Sequence, residues 1–166
     1  PGSLLIDVTN KRLYQNINTT ASPTWASPGE ASSAVSITSA QLLALRATPI
    51  TLVAAPDAGK LLEFVSATLL YDAGGTAYTV STDDAAIRYN NTTGDIISQT
   101  IDSAGLIDDT TDRMALVNPV TADNKTTKTD SENTPLVLHN TGAAEWTLGT
   151  GVVRVKTTYR VWTTGW

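Results

Sequence analysis

Few side chains in this chain could carry covalent chemistry. Its one histidine, His139, lies in the run PLVLHN, which reads as a strand, and there is neither a cysteine nor a Gly-x-Ser-x-Gly elbow to supply a nucleophile. A structural histidine is therefore expected. Asp57-Ala58-Gly59-Lys60 echoes the end of a phosphate-binding loop, but no glycine stands five residues before Gly59, and Leu61 occupies the place of the Ser or Thr that would hold magnesium. The stretch is expected to be a hairpin turn. Asp83-Asp84 and the group Asp108, Asp109 and Asp112 could offer oxygen ligands to calcium, yet neither has the spacing of an EF-hand, so solvated loop acids are the simpler reading. Two separated carboxylates can cleave a glycoside, but no local signal singles out a pair. Asn18, Asn90, Asn91 and Asn124 each begin an Asn-x-Thr triplet, which a Thr-rich chain produces by chance. No catalytic residue, cofactor or metal is expected, and the chain is read as a non-enzyme.

Charge and composition narrow the partners. The formal net charge is -5, so the electrostatic footprint of a nucleic-acid binder is missing. Without cysteine, stability must come from packing or from association. Leu4 to Ile6 is too short for the core of a signal peptide, and no apolar run approaches a membrane span. A soluble chain with no membrane partner is expected. A chain of 166 residues has room for one domain with a sizeable core, plus an arm.

The elements are organised around Thr48 to Asp72. Pro49 to Ala55 and Lys60 to Tyr71 read as strands separated by the turn formers Pro56, Asp57 and Gly59. Both faces of the second run are largely apolar, which predicts a mid-sheet strand with a core on one side and a second cover on the other: a loop, a sheet or another subunit. Before this pair, Leu4 to Thr9 and Arg12 to Asn18 suit either a small hairpin or an extended arm. Thr19 to Ser33 is small, polar and broken by Pro23, Pro28 and Gly29. Residues 1–33 are read as an extended N-terminal arm, with Tyr14 and Trp25 as anchor candidates because aromatic side chains bring large contact area. The arm either docks on a partner or folds back on its own domain.

Residues 34–166 are read as the folded domain. Ala34 to Ile37 suggests a short strand, and Ser39 to Leu45 one or two helical turns capped by Thr38 or Ser39 and stopped by Pro49. Tyr78 to Thr82, Ala85 to Asn90, Asp95 to Ile101, Pro135 to Asn140, Glu145 to Leu148 and Gly151 to Trp162 follow as strands. Two long connections, Ser103 to Met114 and Asn118 to Thr134, separate them. Short strands at this spacing predict an all-β, antiparallel β-sandwich. In the last strand Val153, Val155, Thr157, Tyr159 and Val161 share one face, and Arg154, Lys156, Thr158, Arg160 and Trp162 the other. Arg154, Lys156, Arg160 and Trp162 are the candidates for subunit contacts. Three basic side chains on one face of an acidic protein call for an acidic neighbour, such as another copy of the chain, or else form an ordinary solvated face.

The run SAQLLALRATPITLVAAPDAGKLLEFVSATLLYDAGGTAYT, followed in order by AAIRYNN, AGLIDDTTD, NTPLVLHNTG and GVVRVKTTYRVW, resembles a group of small virion structural proteins of tailed bacteriophages and prophages. That group includes capsid decoration, or cement, proteins. The resemblance covers Ser39 to Trp162 and implies a jelly-roll or related β-sandwich, often a homotrimer, seated on the capsid exterior against the major capsid protein. Two other functions remain open: a tail, baseplate or head-fibre component that binds a host-surface glycan, and a small glycosidase on a jelly-roll.

Overall fold

The computed structural model describes residues 3–8, 12–16, 25–26, 29–80, 84–120 and 126–165. The chain divides into two compact units, Pro1–Ala31 and Ser32–Trp166. In the first, β1 (Leu4–Asp7), β2 (Arg12–Asn16) and β3 (Trp25–Ala26) form an antiparallel sheet in that order. The segment expected as an extended arm thus carries a small meander. LLID and RLYQN are runs of β-formers close enough in sequence to pair, and Leu5 faces Tyr14 across the ladder while Ile6 faces Leu13.

The second unit is all-β and antiparallel, with sheets that do not close into a barrel. Its strands are β4 (Ala31–Ile37), β5 (Ile50–Val53), β6 (Lys60–Asp72), β7 (Tyr78–Thr79), β8 (Ala85–Tyr89), β9 (Arg113–Val117), β10 (Leu136–Asn140), β11 (Thr147–Leu148) and β12 (Val152–Thr163). A four-stranded sheet runs β4-β12-β6-β9, a three-stranded sheet β5-β10-β8, and β11 pairs with β7. Apolar residues of both larger sheets share one core: Leu62, Leu69, Val153 and Val155 from one, Leu52, Ile87, Leu136 and Leu138 from the other. Each such side chain contributes about 1.5–3 kcal/mol when fully buried. The arrangement is sandwich-like, and the hydroxyl of Tyr89 on β8 donates to the carbonyl of Leu62 on β6, tying one sheet to the other.

β6 is the mid-sheet strand that its composition predicts, but its two apolar faces have a different origin from the one expected. Thr158 pairs with Ser66 and Tyr159 with Phe64, so Val65 is skipped in the register as a bulge. Before it Leu62 and Phe64 are buried, and after it Ala67, Leu69 and Tyr71 are. The bulge exchanges the two faces, which lets both halves of an apparently two-sided apolar strand face one core. Leu70, on the outer face after the bulge, stays exposed.

The stretch from Asp57 to Lys60 is a turn, with the Lys60 amide donating to the Asp57 carbonyl at 3.2 Å, but it does not make a hairpin. β5 pairs with β10, while β6 pairs with β12 and β9, so the chain crosses here from one sheet to the other. Helix α1 (Ser39–Leu42) starts at Thr38 through a capping box with Gln41, and it places Leu42 and Leu45 in the core. Two connections carry elements that their polar composition hides. β9 closes the acidic one, and the short helix α2 (Lys128–Ser131), capped by Thr127, lies in the other. Conversely, Asp95 to Ile101 makes only isolated bridges at Ile96, Ser98 and Ile101.

At the start of β12 the backbone passes so close to the Tyr71 ring that a side chain at Gly151 has no room, since a Cβ there would lie 2.3 Å from the ring. The Tyr78 hydroxyl donates to the Gly151 carbonyl at 2.7 Å, and the Tyr71 and Tyr78 rings meet edge to face with centroids 6.4 Å apart. Burial pushes the Tyr78 hydroxyl up to about 12. Further along β12, Thr157 is buried opposite Ala67 and its hydroxyl has no hydrogen-bond partner among the described residues. A buried hydroxyl left unpaired costs about 1–3 kcal/mol. Thr157→Val, which keeps the side-chain shape, is accordingly expected to stabilise the protein by about 1 kcal/mol, read as a higher urea midpoint with an unchanged slope. A lower midpoint would mean that the hydroxyl is bonded after all.

Candidate interaction surface

The side chains expected to make subunit contacts lie on the outer face of the four-stranded sheet. Register places Arg154 beside Leu70, Lys156 beside Thr68, Arg160 beside Glu63 and Trp162 beside Leu61. Acids of the neighbouring strand answer two of the three cations. Arg154 pairs with Asp72, and Arg160 Nη1 lies 3.2 Å from Glu63 Oε1. The Trp162 indole N–H donates to Glu63 Oε2 at 2.6 Å, so one carboxylate holds both side chains. Lys156 makes no hydrogen bond or ion pair among the described residues and stands exposed. Exposed pairs of this kind contribute about 0–1 kcal/mol each. Their larger effect is to reduce the charge available to attract an acidic partner.

What remains on that face is apolar. Met114 pairs with Leu70 and Leu116 with Thr68; Met114 is 61% exposed and Leu116 63%. Beside them runs a shallow groove of about 360 Å³, lined by Ala34, Ser36, Thr68, Leu70, Arg154 and Lys156 among others. Small, apolar and basic residues thus line one groove. The run RMALV could have revealed this patch, since Ala115 and Val117 point inward while Met114 and Leu116 point outward, but it is hidden at the end of an acidic connection.

In the N-terminal unit, Leu4, Ile6 and Leu13 share a face of the sheet and are all exposed, Ile6 at 69%. Tyr14, on the opposite face beside Leu5, is half-buried. Trp25 belongs to β3, opposite Asn16; its side chain lies outside the described residues. The two anchor candidates are therefore neighbours in one small sheet.

His139 sits on the outer face of the three-stranded sheet with Arg88, which is opposite Val137 in register. Its Nε2 lies 3.0 Å from the Arg46 carbonyl, which can only accept, and its Nδ1 lies 3.0 Å from Arg88 Nη1, which can only donate. These contacts select the neutral tautomer with the proton on Nε2. The loop after α1 is fixed by Glu145, whose carboxylate accepts from the amides of Arg46 and Ala47 at 2.9 and 2.7 Å. Both ring nitrogens are occupied, so the imidazole ties β10 to β8 and to the α1 loop.

The acidic loops are held by their own backbone. Asp109 accepts from Thr111 and pairs with Arg113, and that guanidinium is the main reason its carboxyl is lowered to about 2. Asp108 accepts from the Gly105 amide and Asp112 from the Ala73 amide. Asp84 accepts from the Ser103 amide; Asp83 lies outside the described residues. Among the described residues no three His, Asp or Glu side chains gather as a metal site would require, and no helix is long and apolar enough to cross a membrane.

Comparison with known proteins finds no matching family model, no similar curated sequence and no similar solved structure.

Burial is the largest cause that holds the His139 imidazole below its ordinary value, and the Arg88 and Arg46 charges add to it. The Arg46 carbonyl and Glu145 oppose the shift without overcoming it. With the folded value below the unfolded one, acidification protonates the unfolded chain first. Stability is then complete above about pH 6.5 and falls as pH drops toward the folded value. As the only imidazole in the chain, it is expected to titrate below about 6.5 by NMR, and His139→Gln is expected to flatten the stability slope in that window. An imidazole titrating at or above the ordinary value would overturn this account of its environment.

Proposed function

We propose that this chain is a non-enzymatic structural protein of a tailed-phage virion, a capsid decoration or cement protein with a jelly-roll-related body. It would act as a homotrimer on the capsid exterior, binding the major capsid protein. The observation that carries the reading is the uncovered apolar face of Leu4, Ile6 and Leu13 in a separate small sheet. So small a sheet has little stability by itself and gains it by laying its apolar face on something else. Such a unit suits attachment to a lattice, where a trimer multiplies modest single contacts into high avidity. The resemblance of the sequence blocks, in their order, to small phage virion proteins favours the same reading. In the described loops the aromatic side chain Trp146 is buried, so these loops show none of the exposed aromatic surface that would favour the glycan-binding alternative.

Two measurements test the proposal. Light scattering coupled to gel filtration is expected to give the mass of three chains, and Met114→Asp with Leu116→Asp to reduce it to one. An unchanged mass in the double variant would remove the outer sheet face from the trimer contact. Leu4→Ser, Ile6→Ser and Leu13→Ser together are expected to leave the body folded and to weaken binding to purified heads by about a hundredfold, the scale of a lost multivalent attachment. Undiminished binding would overturn the role of the N-terminal unit.

A further inference from the structure

We propose that the cavity between the α1 loop and the outer face of the three-stranded sheet is a binding site for a carboxylate or another oxyanion. Arg46, Arg88, Thr92, His139 and Thr141 line this space of about 470 Å³. The two guanidinium groups come from distant parts of the chain. Arg88 is the more deeply set, with Nε donating to the Gly94 carbonyl at 2.8 Å and Nη1 to the Thr92 carbonyl and His139. Burial pushes its guanidinium below the ordinary value. Arg46 donates only its Nε, to the Gly142 carbonyl at 2.7 Å. Neither forms an ion pair among the described residues. Among the described residues, Arg88 Nη2 and both Nη atoms of Arg46 therefore keep their donors unspent.

That arrangement is unusual in this molecule. Arg113, Arg154 and Arg160 each meet a carboxylate, although all three are on the surface. The guanidinium most in need of a counter-charge is instead held by two carbonyls and an imidazole nitrogen, all neutral acceptors. A partly buried cation without an anion is costly, and a planar guanidinium offers paired N–H groups matched to a carboxylate. The nearby acids do not meet that need. Glu145 is bound to the Arg46 and Ala47 amides, and Asp95 acts on Arg88 only through space. The neutral acceptors hold Arg88 in a fixed orientation before any ligand arrives, which lowers the entropy cost of binding. Thr92 and Thr141 also line the same space.

The ligand group can belong to a free small anion or to an acidic side chain of a partner protein. Both are tested on the intact chain by NMR, following the Arg Nε–H signals and the His139 imidazole, which touches Arg88 directly. Titration is with sodium acetate, with sodium sulfate and with a short peptide carrying one glutamate, each against sodium chloride at equal ionic strength. Saturable shifts of the Arg88 and His139 signals are expected, with a dissociation constant on the order of 1 mM. Arg46→Gln, which keeps the Arg46 backbone contacts to Glu145 and His139, is expected to weaken binding about tenfold, as the loss of one charge-assisted hydrogen bond implies. Tighter binding of the peptide than of acetate identifies a partner's side chain, and equal or weaker binding identifies a free anion. Shifts that chloride reproduces, or that Arg46→Gln leaves unchanged, overturn the site. The proposal does not rest on a virion role, so failed head binding and failed anion binding are separate results.

Discussion

The pairing of β6 with β12 is the interaction on which the rest of the body depends. Every residue of β12 has a partner on β6, giving a ladder roughly 40 Å long at about 3.3 Å per residue. β4 and β9 attach to its two sides, and the core grows from its inner face. A ladder of that length must keep its apolar side turned inward as the sheets twist, and the bulge at Val65 accomplishes this by resetting β6 once against an uninterrupted β12. Without it, either Leu62 and Phe64 or Leu69 and Tyr71 would point outward.

The same ladder sets what the outer face can do. Acids of β6 stand beside cations of β12, so the sheet neutralises itself and leaves an apolar strip along Leu70, Met114 and Leu116. The basic stripe visible in GVVRVKTTYRVW is therefore largely an internal arrangement of two strands. Among the described side chains, the cations without carboxylate partners are Lys156 on this sheet and the two arginines around His139. They divide the surface into a region suited to apolar contact and one suited to anions.

Much of this architecture was legible from residue order. Alternation in β12 identified its inner face because that strand has no bulge, and the long apolar run of β6 marked a central strand. The hairpin between β5 and β6 was misread because a turn signal reports a change of direction and not the identity of the pairing partner, which depends on contacts far away in sequence. β9 is hidden because only two apolar residues, Ala115 and Val117, mark its inward face and an acidic loop precedes it. Arg46 and Arg88 drew no notice, since their meeting depends on the capped α1 turn, on Glu145 and on the placement of His139. In contrast, PLVLHN read as a strand, and His139 does lie in β10.

The ladder also outlasts the core that it supports. Val153, Val155 and Thr157 are buried, yet Val161 and Trp162 are about half exposed while still paired to β6. Backbone bonds in the first half can break only when the sandwich opens, whereas those near the C-terminal end are guarded by local ties, with Glu63 holding Arg160 and Trp162 and Thr164 bonded to the Gly59 carbonyl and Glu132. Amide hydrogen exchange along this one strand should thus pass from global opening to local fraying, so that a single continuous element samples most of the range of local stabilities in the body.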